Sequence, residues 1–197
     1  NSEGMQGGYR QTLIHISLSL VAGHSTATAP IRWSRTARTL ATFSTALFGD
    51  ETARLAATTL EGRPPARSAV PALFAPAAAV EVIRHLAQSL RPPGPAQGFP
   101  IGSKLLSIID DGRLPGGIVS APFDGEGVPT RRTVVVDHGR FAAMTHDCDS
   151  AAASTAKSTG NSRRVSFRES PRRMPSNFFL PPGSDDPADL MAEAARP

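Results

Sequence analysis

The sequence predicts an α+β fold, rich in mixed β-sheet and ordered loops with helices flanking them. Three observations carry this. Ile108 to Arg132 reads IIDDGRLPGGIVSAPFDGEGVPTRR, and Pro115, Gly116, Gly117, Gly125, Gly127 and Pro129 exclude a helix there. Thr133 to Asp137 (TVVVD) is a β-branched run followed by a His138-Gly139 turn, with Arg140 to Thr145 as its hairpin partner. Ala77 to Leu90 sets Val80, Ile83, Leu86 and Leu90 on one helical face, behind a Pro76 suited to a first helical turn.

The remaining elements follow in chain order. Residues 1–10 are Gly-rich and loose. In Thr12 to Val21 (TLIHISLSLV), Ile14, Ile16, Leu18 and Leu20 alternate with polar neighbours, the period of a half-buried strand. Pro30 to Trp33 is a second extended piece. Ser34 to Thr59 turns helical, with Leu40, Phe43 and Leu47 and then Ala53, Leu55 and Leu60 forming two helices around a Gly49-Asp50 break. Gly62 to Arg67 (GRPPAR) marks a boundary, because paired prolines resist helix and sheet alike. Val70 to Phe74 reads as extended, and Leu105 to Ile109 as a strand running into Asp110-Asp111. Ala151 to Lys157 is helix or loop, Asn177 to Leu180 a short strand, and Asp185 to Ala195 a final helix with acids at its positive end.

A chain of 197 residues holds one moderate domain, or one domain and a fragment of another. The net charge is +4, and every basic residue except Lys104 and Lys157 is Arg. Acids are interleaved with these arginines, and no basic stripe alternates with aromatics, so a nucleic-acid face is not indicated. The single Cys148 excludes an internal disulfide, so the chain suits a reducing compartment or is indifferent to it. No apolar run reaches the ~20 residues of a membrane span, and the expected location is the cytoplasm. The first residue is Asn, which fits a processed form or a fragment.

The loop residues admit two readings each. Asp110 and Asp111 are either a carboxylate pair for acid–base work, or caps and ion-pair partners of Arg113, Arg131 or Arg132 that hold a loop closed. Arg132 with Asp124 or Glu126 is a candidate ion pair. Ser158, Thr159, Gly160 and Asn161 either present backbone N–H groups to an extended peptide or carboxylate, or form a tight turn that needs positive φ.

The ordered strings DDGRLPGG, PFDGEGVPTRR, TVVVDHGR, STGN and PSNFFLPPG, with a helix on either side, resemble the C-terminal domain of the TldD/PmbA (TldD/TldE) metalloprotease family. The resemblance runs from about Val70 to the end. It implies that residues 1–66 are a remnant of the family's upstream region and that residues 67–197 are the C-terminal domain. In that family the catalytic subunit holds zinc on a His-Glu-x-x-x-His helix, with a later Cys, and digests peptides in a chamber between two subunits. The second, PmbA (TldE), subunit shares the fold without the metal motif.

The zinc helix would fall after Phe74, where this chain reads AVEVIRHLAQSL. Two histidines one turn apart and a Glu are required. Here His85 stands alone. None of His15, His24, His138 and His146 gives the spacing, and Glu81 precedes His85, which it could touch at i, i+4. His146, Asp147, Cys148 and Asp149 form an HDCD cluster, either a metal site or a short loop with an idle thiol. The resemblance therefore implies a PmbA/TldE-like, non-catalytic subunit of a heterodimeric zinc peptidase. Zinc would sit in a TldD-like partner, with Ser158, Thr159, Gly160, Asn161 and Arg132 toward an extended peptide. Three alternatives stand beside it. One is an independent hydrolase using His85, Asp110 and Asp111. Another is a nucleic-acid or topoisomerase-associated modulator. The last is a copy lacking too much of the family architecture to act.

Overall fold

A computed structural model describes residues 4–24, 27–60 and 72–194. The chain divides into two compact units, Arg10–Ala69 and Asn1–Tyr9 with Val70–Pro197. The GRPPAR boundary lies outside the described residues.

In the first unit, β1 (Ile14–His24) and β2 (Ala27–Ala37) pair antiparallel along their whole length. Ile14, Ile16, Leu18 and Leu20 are half-buried while His15, Ser17, Ser19 and Val21 are exposed, as the alternation requires. The second extended piece is longer than Pro30 to Trp33. Ser34 to Thr36 continue the strand, because β1 faces them with Ser17, Ile16 and His15 in register, and tertiary pairing overrides the local helical pattern. A 3-10 turn (Leu40–Thr42) leads into α1 (Thr45–Leu60), one helix that runs straight through Gly49-Asp50. A helical Gly costs only about 1 kcal/mol. Phe48, Thr52 and Ala56, one turn apart, bury a stripe that offsets it, and the Thr52 hydroxyl donates to the Phe48 carbonyl at 2.7 Å. Leu55, expected on the buried face, is 39% exposed.

The second unit begins its regular structure with α2 (Pro76–Ser89), headed by proline as expected. Its sheet has the order β5-β4-β3-β8, from β3 (Ile108–Asp111), β4 (Arg132–Asp137), β5 (Arg140–Phe141) and β8 (Asn177–Phe179), every pairing antiparallel. Between them in sequence come α3 (Cys148–Ala153) and a small pair, β6 (Ser162–Arg163) with β7 (Arg172–Arg173). Last is α4 (Pro187–Ala194). The core is Leu90, Ile108, Val135, Val136 and Phe141, with Ile83 and Leu86 of α2 packed on it. Burying each such side chain contributes roughly 1.5–3 kcal/mol. A register shift opposite Ile108 and Ile109 skips Val135, so two consecutive valines of β4 are buried.

The hairpin turn is His138-Gly139, both at positive φ (44° and 77°), the two-residue geometry that matches strand twist. Gly139 is required twice over, since a Cβ there would lie 2.4 Å from the carbonyl oxygens of Gly102 and Ser103. The partner strand is shorter than expected: Ala142 still donates to the Val135 carbonyl of β4 at 2.9 Å, and the paired strand β5 covers only Arg140–Phe141. Leu105 is 94% exposed and lies outside the strand, which starts at Ile108.

Candidate functional site

All four residues of β3 are buried, and its last two are aspartates. Asp110 is wholly inaccessible. Its Oδ1 accepts the Ser176 N–H at 2.6 Å and its Oδ2 accepts the Asn161 side-chain amide. Burial raises its pKa to about 6, against the lowering effect of those two hydrogen bonds and of the nearby Arg163 charge. Asn161, 1% exposed, also accepts the Thr159 hydroxyl at 2.6 Å, and Thr159 in turn takes the His146 backbone N–H. A chain of polar contacts thus joins β3, the STGN block, the turn before α3 and the approach to β8. Buried polar groups require such complete pairing.

Asp111 caps the turn beyond β3, its Oδ1 accepting the Arg113 N–H at 2.8 Å. Asp124 holds the acidic loop: its carboxylate accepts the N–H groups of Glu126, Val128 and Ser162, each at 2.9 Å. Asn177 was not foreseen as a site residue. Its side chain accepts the Val119 N–H at 3.0 Å and donates to the Asp111 carbonyl and the Ser120 hydroxyl. The only hint of this in the sequence is an amide at the start of a short apolar strand.

The ion pairs among the described residues are Arg84–Glu81 and Arg172–Glu169, and the His138 ring hydrogen-bonds the Asp137 carboxylate at 2.8 Å. Arg113, Arg131 and Arg132 belong to none of them. The expected pairing of Arg132 with Asp124 or Glu126 does not form: backbone N–H groups occupy the Asp124 carboxylate, and Glu126 accepts the Cys148 N–H. Arg132 is exposed at the start of β4. Nor does the Glu81 carboxylate reach His85. It goes to Arg84, while the His85 ring bonds the Glu81 backbone carbonyl at 2.8 Å. His85 is exposed and Asp110 is not, so no hydrogen bond unites them.

The HDCD string is a helix start. Asp147 caps α3, accepting the Ser150 N–H at 2.9 Å and its hydroxyl at 2.5 Å in a reciprocal box. His146 is buried, and burial followed by the Arg173 charge lowers its pKa. Cys148 is exposed, and its hydrogen bond to the Glu126 carboxylate pushes the thiol upward, away from the nucleophilic thiolate. Among the described residues no three His, Cys, Asp or Glu side chains stand together as a metal set, and α2 offers a single imidazole.

Beside the STGN block lies an open cleft of about 510 Å³, lined by Tyr9, Phe123, Asp124, Gly125, Ser162 to Val165 and Met174. Tyr9 and Phe123 meet edge to face at 5.7 Å. The Arg163 guanidinium is half-buried and donates to the Val119 carbonyl at 2.6 Å. No histidine or cysteine lines this cleft, and the Asp124 carboxylate is committed to backbone. Its chemistry is that of a binding surface: aromatic faces, two held guanidiniums, Arg163 and Arg164, and a polar backing.

The PmbA/TldA metallopeptidase C-terminal domain family matches residues 68–196. The chain belongs to this family. A metalloprotease of Methanocaldococcus jannaschii is 34% identical over 86 residues, covering 44% of this chain and 19% of that protein. A metalloprotease TldD homolog of Buchnera aphidicola is 33% identical over 91 residues, covering 46% and 19%. The matched stretch is therefore about a fifth of the length of these curated relatives. Among solved structures, TldE of Thermococcus kodakarensis aligns with a TM-score of 0.66 at 19% identity, over 92% of this chain and 43% of that one. A proposed modulator of DNA gyrase from Bacteroides thetaiotaomicron aligns with a TM-score of 0.75 at 15% identity, over 98% and 44%. These likenesses show the α+β fold. No helix among the described residues is long and apolar enough to cross a membrane.

Proposed function

We propose that this PmbA/TldA-family chain acts as a cleft-forming, non-catalytic subunit of a zinc metallopeptidase, working in the cytoplasm beside a TldD-like partner that carries the zinc and activates water. The observation that carries this reading is α2. It occupies the place where the resemblance puts a zinc helix, and its lone His85 is bonded to its own backbone while Glu81 is held by Arg84. The carboxylates of β3 support it too. A general base must reach a substrate proton, whereas Asp110 is enclosed and Asp111 caps a turn.

An extended peptide would lie along the STGN block and its cleft. Thr159 and Asn161 position that turn from behind, being buried in the Asp110 network. Gly160 is buried with them, so half-buried Ser158 and exposed Arg132 are the residues left to meet the peptide.

The test is to purify the chain with a TldD-like subunit and measure zinc content and peptide cleavage of each alone and of the pair. Activity confined to the pair, with zinc in the partner, is expected, and His85→Ala should leave that activity unchanged. Zinc and cleavage in this chain alone would overturn the proposal. Salt-steep DNA binding without any complex would favour a nucleic-acid modulator instead.

A further inference from the structure

We propose that the cleft between α2, α3 and β7 is a binding site for an acidic peptide segment, whose carboxylates are received by Arg84, Arg91, Arg172 and Arg173. The cleft has a volume of about 960 Å³, and these four arginines line it with a single acidic residue, Asp149. Arg84 lies on α2 and Arg91 just beyond the end of that helix, and both border the cleft. Arg172 and Arg173 come from β7.

The state of these arginines points to a missing anion. Arg84 and Arg172 have exposed partners, Glu81 and Glu169, the latter at 3.8 Å, and such surface pairs exchange readily. Arg173 is half-buried, yet it donates only to neutral oxygens, the Thr145 hydroxyl at 3.0 Å and the Leu90 carbonyl at 3.3 Å. Arg91 uses its Nε on the Gln88 carbonyl at 2.7 Å. Neither Arg91 nor Arg173 is in an ion pair among the described residues. The Arg173 guanidinium is taken partly out of water and hydrogen-bonds to no carboxylate, a desolvation cost that Asp147 and Asp110 offset only in part and that an incoming anion would relieve further. Burial depresses Arg173, with Arg91's like charge adding to this and Asp147 and Asp110 partly offsetting it. The unused planar donors suit bidentate contact.

A carboxylate-bearing peptide fits better than nucleic acid. The arginines converge on one cleft and do not track along a face. Ala87, Ala153 and Pro175 give the walls apolar stretches that a peptide chain can cover. This site does not depend on whether the chain serves a peptidase.

The experiment is fluorescence anisotropy of the intact chain with a labelled Glu- and Asp-containing peptide, the same peptide with Gln and Asn in their place, inorganic phosphate as competitor, and a single-stranded oligonucleotide. Binding of the acidic peptide, loss with the amide peptide, and about 10-fold or greater weakening in Arg91→Gln/Arg172→Gln support the site. Both substituted residues are exposed, so the variant should fold, and its circular dichroism should match the parent chain. Equal binding of both peptides, tighter binding of the oligonucleotide, competition by phosphate at equimolar concentration, or full affinity in the folded double variant would each overturn it.

Discussion

The carboxylate of Asp110 and the side-chain amide of Asn161 are hydrogen-bonded across 51 residues of sequence in a place closed to solvent, with the two residues 0% and 1% exposed. That contact anchors the STGN block to the central strand of its sheet and sets the shape of the cleft beside it.

Replacing Asn161 by Ala removes a donor from Asp110 and an acceptor from Thr159 together. The expected loss is about 2–3 kcal/mol. Its neighbour Ser162 has a buried hydroxyl with no partner among the described residues. Ser162→Ala should therefore fall within roughly 0.5 kcal/mol of the parent chain, or be slightly more stable. Urea unfolding of both variants decides the matter, and equal losses would mean that the amide contributes volume alone.

The raised pKa of Asp110 fixes a sign. The folded group keeps its proton to about pH 6, whereas the unfolded group releases it near 3.8. Between those values the folded state binds more protons, so this stabilisation is present below about pH 4 and is lost as pH rises to about 6. Asp147 runs the opposite way. Burial raises its pKa but the Ser150 hydrogen bonds outweigh that and hold it low, so its contribution disappears only on acidification below the usual carboxylate range. Comparing Asp110→Asn with the parent chain isolates the first effect. Their unfolding midpoints should diverge in slope between pH 4 and 6, and parallel profiles would show an ordinary carboxylate.

Gly160 has φ of +74°, and a Cβ there would meet the Pro129 carbonyl oxygen at 2.5 Å and the Thr130 Cα at 2.7 Å. Both obstacles are backbone and cannot rotate away. Gly160→Ala should cost at least about 2 kcal/mol, combining left-handed strain with overpacking. Thermal unfolding will show it, and an unchanged midpoint would mean that the turn can move aside.

Asp124→Ala withdraws the acceptor for three backbone N–H groups. Hydrogen exchange should accelerate at Glu126, Val128 and Ser162 while Val135 and Val136 in the core stay protected. Asp124→Asn, which keeps one acceptor oxygen, should retain part of the protection. Uniform acceleration through the sheet would indicate that the loop and the core open as one unit.

The elements that could be read from sequence are those whose signals are local. Pro76 announces α2, the valines with His138-Gly139 announce the β4 hairpin, and period two announces β1. Local cues misled where a distant partner decided the outcome. β1 draws Ser34 to Thr36 into a strand, and the buried Phe48–Thr52–Ala56 stripe carries α1 across a glycine. The site was half legible for the same reason. Asp110 and Asn161 stand out as polar residues in rare strings, but nothing periodic says that they meet. The ion pair assigned to Arg132 failed because backbone N–H groups had already claimed Asp124. The capping role of Asp147 was written in the D-x-x-S spacing, and the adjacent His and Cys drew attention from it.

The ties that close on Asp110 come from Asn161 and Ser176, the latter 66 residues away in sequence. Closing loops of that length costs entropy before any contact repays it. During synthesis, then, the Asp110 carboxylate keeps water in place of the Ser176 N–H until Ser176 has left the ribosome. The cleft is an end product of folding, and a chain that stops short of Ser176 would lack it together with β8 and α4, keeping α2, α3 and the β4 hairpin of this unit.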